Sequence, residues 1–328
     1  MMTSNQTAST SSTVGARAYL EQMVRRYYSG LIDAWHYAGE TEKAMESAAE
    51  AVRQGVWDQP LQRAREHIPG LSAQPLHDPA EFWFTSYLEE SYPQIRAEIE
   101  QVLDTPLDPV APSTNDAGLI RRGAWKQAHL FRDGRWQNRV SERFPITTAI
   151  LERIPDVTVL SPGVITVSRV TPDTHIMPHC GPTNGLLRIH LPIKIPAGVS
   201  IRVADQVLQW EEGKCLVFDD SFEHEVWHRG TEDRVVLILD VLHPELSGDH
   251  QERLLRRQHN FEEQIVSFMR ERGLRQVRVQ DGEVVLTPDD TVRQLVETYL
   301  SGIGITGAEL DGEEVQWERQ DSQPGPAE

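Results

Sequence analysis

Hydrophobic positions change their period along the chain. Residues 15–70 follow a helical period. In "ARAYLEQMVRRYYSGLIDAW", Tyr19, Met23, Tyr27 and Leu31 recur every four positions, which predicts a helix packing on that stripe. "TEKAMESAAEAVRQGVW" is rich in good helix formers and predicts a second helix, with Thr41 as its cap. "DPAEFWFTSYLEESYPQIRAEIEQVL" (78–103) predicts a third, interrupted near Pro93, because proline lacks the amide donor and crowds the preceding turn. "DTPLDPVAPSTND" (104–116) has neither period and predicts a loop.

From 117 to 246 the period is two. "GVITVSRV", "LLRIHLPIKI", "VSIRVADQVLQW", "KCLVFDD" and "RVVLILDVL" are short Val/Ile/Leu runs punctuated by Gly, Pro and Asp. Such spacing predicts an all-β sandwich or barrel. After 246, "HQERLLRRQHNFEEQIVSFMRERG" predicts an amphipathic helix, "RQVRVQDGEVVL" a hairpin turning at Asp-Gly, and "PDDTVRQLVETYLSG" a final helix. The expected organisation is a disordered tail over 1–14, a helical region over 15–116, a β core over 117–246, an α/β extension over 247–308 and a loose acidic tail over 309–328.

Charge narrows the partners. The 328 residues hold 32 Lys and Arg against 50 Asp and Glu, a formal charge of −18. So acidic a surface repels phosphate backbones and anionic membranes, and argues against nucleic acid as a partner. The first residues are polar, with no apolar stretch of a secretory signal, and no 18-residue apolar run occurs. The expectation is a cytoplasmic protein with no membrane span. Cys180 and Cys215 form no Cys-x-x-Cys pair, so no zinc-thiolate centre is suggested; one disulfide remains open.

The stretch "HIMPHCGPTNGLLRIHLPI" (175–193) concentrates candidate chemistry. In its strand, Leu187, Ile189 and Leu191 share one face and Arg188 and His190 the other. Inside a barrel that second face would line a cavity. His179 precedes this strand, His224 follows in "FDDSFEHEVWH", and Arg234 opens an apolar strand. Two imidazoles suit a first-row metal such as iron. An arginine fork with a serine hydroxyl, here Arg234 with Ser168, suits a carboxylate. Two positions after His179, where a His-x-Asp motif would carry a carboxylate, stands Gly181. His175, His228 and His243 compete as ligands. Asp219 and Asp220 either make the turn before His224 or orient it. Trp227 and His228 are candidates for the entrance.

"HIMPHCGPTNGLLRIHLPIKIP", "WEEGKCLVFDDSFEHEVWH" and "RVVLILDVLHPEL" resemble the aspartyl/asparaginyl β-hydroxylase family over about 160–246, with weaker likeness back to about 80. The resemblance implies a mainly β core, a double-stranded β-helix (jelly roll), here with flanking N-terminal helices and a C-terminal helix–hairpin–helix extension. It also implies Fe(II), with 2-oxoglutarate and O2 as cosubstrates. Members of that family bind iron through two histidines, with Gly at the usual Asp position. This maps the metal ligands onto His179 and His224. Arg234 and Ser168 then grip the distal carboxylate of 2-oxoglutarate, His190 lies near its other end, and Arg188 meets an acidic substrate group. The chain departs from the family at Leu186, where its protein hydroxylases often carry a second arginine.

The implied activity is a 2-oxoglutarate-dependent dioxygenase that hydroxylates an amino-acid-derived small molecule, a carrier-bound group or a peptide. Two alternatives stand beside it. A vacant carboxylate site can admit chloride and support halogenation. A decayed site would leave a non-catalytic, cupin-like binding protein.

Overall fold

The computed structural model describes residues 6–103, 119–120, 122–132, 134–158, 160–248 and 251, and four short strands between 278 and 316. Residues 17–258 form one compact unit; residues 1–16 and 259–328 are assigned to a second.

Three helices open the chain: α1 (Gln6–Ala38), α2 (Thr41–Arg53) and α3 (Trp83–Leu103). α1 begins within the stretch expected to be disordered. Once the apolar part of a helix is nucleated, each further residue adds a hydrogen bond at small cost, so a polar leader is drawn into it. The packing face is also one position away from the expected stripe. Met23 and Tyr27 are exposed, whereas Tyr28 and Ile32 pack with Ala44, Ala48, Ala51, Val56 and Trp57. Thr41 is the first residue of α2 rather than its cap; Glu40 takes the cap position and makes no side-chain capping bond. α3 runs unbroken through Pro93. Proline inside a helix costs about 3 kcal/mol, but Leu88, Ile95 and Ile99 are fully buried, and each such side chain contributes roughly 1.5–3 kcal/mol. Packing outweighs local propensity.

After β1 (Leu76–His77), β2 (Trp125–Arg132) and β3 (Arg135–Trp136) come the short helices α4 (Asn138–Ser141) and α5 (Pro145–Leu151). Eight strands then follow: β4 (Ile165–Val170), β5 (His175–His179), β6 (Leu186–Lys194), β7 (Val199–Val203), β8 (Gln206–Leu208), β9 (Leu216–Phe218), β10 (His224–His228) and β11 (Arg234–Leu242). They form two antiparallel sheets, ordered β1-β9-β6-β11-β4-β2-β3 and β5-β10-β7-β8. From β4 onward the chain winds between them: β4, β6, β9 and β11 in the larger, β5, β7, β8 and β10 in the smaller. This winding is a jelly roll.

Alternation along the strands makes two cores. Leu187, Ile189, Leu191, Val217, Leu237 and Leu239 face outward from the larger sheet and pack with α3 and α5 residues such as Leu88, Ile95 and Ile150. Val170, Ile176, Ile201, Val203, Phe218 and Val226 meet between the sheets. The predicted division of β6 into an apolar face and an Arg188/His190 face holds, and the second face points into the jelly roll.

In the second unit, β12 (Arg278–Gln280) pairs antiparallel with β13 (Glu283–Val285). The tail expected to be loose contains β14 (Glu309–Asp311) and β15 (Glu314–Gln316), which pair with each other, β15 also pairing with β13. The sequence "ELDGEEVQ" sets an Asp-Gly pair between short alternating runs, a pattern that favours strand pairing. The expected loop at 104–116 and the two C-terminal helices lie outside the described residues.

Candidate active site

The two candidate ligands are brought together by strand pairing. His179 ends β5, His224 begins β10, and the two are register partners with ring centroids 4.1 Å apart. His179 Nδ1 donates to the Met177 carbonyl at 2.7 Å and His224 Nδ1 to the Phe222 carbonyl at 3.0 Å. A carbonyl only accepts, so each imidazole carries its proton on Nδ1 and its lone pair on Nε2. This is the outer-shell arrangement that orients metal-binding histidines. Burial, then the neighbouring His179, holds the pKa of His224 well below the ordinary value, so it is neutral at pH 7.

The competing histidines are spent elsewhere. His175 Nε2 pairs with Glu225 Oε1 at 2.6 Å, and its ring stacks on Trp227. His228 is buried rather than lining an entrance. Its Nδ1 accepts from Gly230 N–H and its Nε2 donates to the Glu232 carbonyl, closing the turn before β11. His243 Nδ1 accepts from Glu245 N–H, which leaves its proton on Nε2. Among the described residues, no group of three or more His, Cys, Asp or Glu is placed to hold a metal ion. Among those residues, the pair of facing imidazoles, His179 and His224, stands without a third such side chain beside it. Both cysteines are free thiols.

Beside the histidines, on the inner face of the larger sheet, lie Arg234 and Ser168. Arg234 opens β11 opposite Val170, and Ser168 lies two residues back on β4, so the two side chains are diagonal neighbours. Arg234 is 2% exposed, and its Nη1 donates to Ser168 Oγ at 3.3 Å. Its Nε has no partner. Burial lowers its pKa to about 9, which leaves it a cation at neutral pH, and no carboxylate pairs with it among the described residues. An isolated buried charge costs several kcal/mol, a cost that an incoming carboxylate would offset. Ser168 is held by Trp125, whose indole N–H donates to Oγ at 2.9 Å.

His190 lies on the same inner face, with Trp210 Nε1 donating to its Nδ1 at 3.2 Å. Its buried Nε2 has no partner. Burial first, then the charges of Arg234 and Arg188, keeps it neutral. The orphaned donors of Arg234 and His190 and the Nε2 lone pairs of His179 and His224 fit a chelating dicarboxylate on a metal ion.

Arg188 has a different environment from the one expected. Its Nε and Nη2 donate to the two carboxylate oxygens of Asp240 at 2.8 and 3.2 Å, and its Nη1 lies 2.9 Å from Asp220 Oδ2. Two carboxylates of the chain already fill its fork. Asp219 makes the turn, accepting from Ser221 N–H, and also takes the Gln62 amide. Asp220 projects towards Gly181 instead.

The N-terminal helices brace the outer side of β10. Glu223, next to His224, accepts from Arg63 at 2.8 Å and Arg202 at 2.7 Å and lies 3.2 Å from His36 of α1. The segment after α2 is also stitched to the loop following His179: Glu66 N–H donates to the Pro182 carbonyl, and Ile68 exchanges two hydrogen bonds with Asn184. Trp125, Trp210 and Asp240 were not foreseen. Nothing in their local sequence separates them from packing tryptophans or a surface aspartate.

Residues 89–244 match the family described as Aspartyl/Asparaginyl beta-hydroxylase. This stretch belongs to that family. The human and mouse proteins named aspartyl/asparaginyl beta-hydroxylase are each 38% identical over 233 residues, 70% of this chain but only 30% and 31% of their own length. A Rhizobium tropici protein named ornithine lipid ester-linked acyl 2-hydroxylase is 35% identical over 180 residues, covering 53% of this chain and 62% of its own. The chain thus spans less than two thirds of these relatives. Among solved structures, a cupin 2 conserved barrel protein from Salinispora arenicola aligns at 12% identity and a TM-score of 0.26, over 47% of this chain and 98% of its own.

Proposed function

We propose that the chain is an Fe(II)- and 2-oxoglutarate-dependent hydroxylase. The observation that carries this reading is Arg234, a buried cation with no carboxylate partner, on the sheet face that also presents His190 beside the His179–His224 pair. The names of the family relatives support hydroxylation.

His179 and His224 would hold the metal through Nε2. Arg234 and Ser168 would bind the distal carboxylate of 2-oxoglutarate, and His190 would donate from Nε2 to its other end. When bound, the iron supplies the redox chemistry by which O2 and 2-oxoglutarate convert C–H to C–OH, with succinate and CO2 as co-products. The chain's own contribution is orientation and the exclusion of water by the apolar walls between the sheets.

For the substrate, a second reading gains support from the open end of β6. Inward from the rim, Leu186, Arg188 and His190 form one row, and Leu186 pairs across strands with Leu242, both half-buried. The rim is therefore apolar, and Arg188 is already matched by Asp220 and Asp240. This favours an amino-acid-derived substrate whose group at the rim is apolar, such as an acyl chain, over a second acidic side chain. No described helix is long and apolar enough to cross a membrane.

The test is succinate formation from 2-oxoglutarate with Fe(II), with Asp- and Asn-containing peptides and amino-acid-linked acyl lipids as competing substrates. Mass spectrometry with and without chloride separates hydroxylation from halogenation. An absence of succinate under every condition would leave a binding protein.

A further inference from the structure

Trp210 touches both donors of the anion pocket. It lies in the link between β8 and β9 and is 6% exposed. Its indole N–H donates to Nδ1 of His190 at 3.2 Å. A ring nitrogen that accepts carries no proton, so the proton of neutral His190 is on Nε2, the buried atom without a partner. The face of the same indole lies 4.3 Å from the guanidinium carbon of Arg234. An indole face attracts a cation most strongly where water is excluded, and beyond this face Arg234 has Ser168 Oγ at 3.3 Å.

We propose that Trp210 is a positioning residue that aligns His190 and Arg234 together for a carboxylate-bearing ligand. Its N–H makes His190 an Nε2–H donor, and its π face holds the guanidinium in place before the ligand's carboxylate arrives. A single side chain thereby prepares two donors that belong to different strands, β6 and β11. The assignment rests on the reading of the pocket as a 2-oxoglutarate site.

Two substitutions divide the roles. Trp210→Phe keeps a π face and removes the N–H; Trp210→Leu removes both. Long-range 1H–15N spectra of histidine-labelled protein report which nitrogen of His190 is protonated, the signal being assigned by its loss in His190→Gln. Calorimetric titration of the Mn(II)-loaded protein with 2-oxoglutarate reports the anion pocket without turnover. Wild type is expected to show the Nε2–H form alone. Trp210→Phe is expected to show a mixture of the two tautomers and about threefold to tenfold weaker 2-oxoglutarate binding, the worth of one hydrogen bond. Trp210→Leu is expected to lose roughly a further tenfold as the cation–π contact disappears. A packing role alone would lower the melting temperature without changing the tautomer. The proposal is overturned if Trp210→Phe keeps the pure Nε2–H form. It is also overturned if a folded Trp210→Leu binds 2-oxoglutarate as wild type does; should that variant not fold, Trp210→Phe decides. Wild type that binds no 2-oxoglutarate refutes the pocket's ligand, and Trp210 is then judged on the tautomer signal, which needs no ligand.

Discussion

Gly181 and Asp220 compete for one volume. A Cβ on Gly181 would lie 2.2 Å from Asp220 Oδ1 and 2.4 Å from its Cγ, and the Gly181 N–H donates to the Asp220 carbonyl at 2.6 Å. The space into which the carboxylate of a His-x-Asp motif would project is filled by a carboxyl from another loop. Asp220 is held there by Arg188, and burial raises its pKa to about 6 despite that arginine. Gly181 is thus demanded by sterics.

Gly181→Ala should therefore destabilise the protein by about 1–3 kcal/mol, the usual cost of overpacking a filled site. The same substitution made on Asp220→Ala should cost far less, because the colliding group is gone. Chemical denaturation of the four proteins in a double-mutant cycle measures the coupling. Additive effects would mean that the two residues do not share the space.

Much of this site was legible in the order of residues. Period-two runs predict the strands, and their alternation places His190 on the inner face. Pairing between strands far apart in sequence was not legible, and it is pairing that sets His179 opposite His224 and Asp240 opposite Arg188. The environment of Arg188 lay in this gap: an arginine on a strand does not reveal two aspartates arriving from another strand and a turn. The helix errors have a different source. Pro93 and the register of α1 were judged by local preference, whereas the burial of Leu88 and Ile95 on α3 and the packing of α1 on Trp57 decide them.

Arg234 should show a trade of stability for binding. Arg234→Met replaces a buried, carboxylate-free guanidinium with an apolar chain of similar length. Without ligand, the variant should be more stable by about 1–4 kcal/mol, as when buried charges are exchanged for apolar residues. Its 2-oxoglutarate affinity should fall by two or more orders of magnitude, since truncating one partner of a buried charge pair costs roughly 2–5 kcal/mol. Denaturation curves and calorimetry on the same samples decide. A variant less stable than wild type would show that Arg234 has a structural anion partner.

Acid stability should depend on Glu223. Burial alone would raise its pKa, but the hydrogen bond to His36 and the charges of Arg63 and Arg202 outweigh this and hold it well below the ordinary 4.5. The folded state thus binds the proton less readily than the unfolded state. The resulting stabilisation is fully present above pH 4.5 and is lost as pH falls from there towards the folded value. Glu223→Gln should lose about 3–5 kcal/mol at pH 7, leaving Arg63 buried without its anion. Its stability should also fall less steeply than that of wild type below pH 4.5. Parallel curves in urea titrations from pH 7 to 3 would contradict the assignment.

Arg188 separates a structural role from substrate binding. Its fork neutralises Asp220 and Asp240, both buried, and Asp240 raises the pKa of Asp220 by repulsion. Arg188→Met should leave two buried carboxyls facing each other. The protein should lose about 3–5 kcal/mol at pH 7 and regain part of it as pH drops, Asp220 taking up a proton more readily once Arg188 no longer lowers its pKa. Arg188→Lys keeps the charge without the two-pronged geometry and should lose less. An arginine whose main task is to grip a substrate acid behaves otherwise: both variants would keep wild-type stability and raise KM alone. Equilibrium unfolding at pH 7 and pH 5, set beside the KM of whichever substrate supports succinate formation, distinguishes the two. The geometry around Arg188 favours the stability loss.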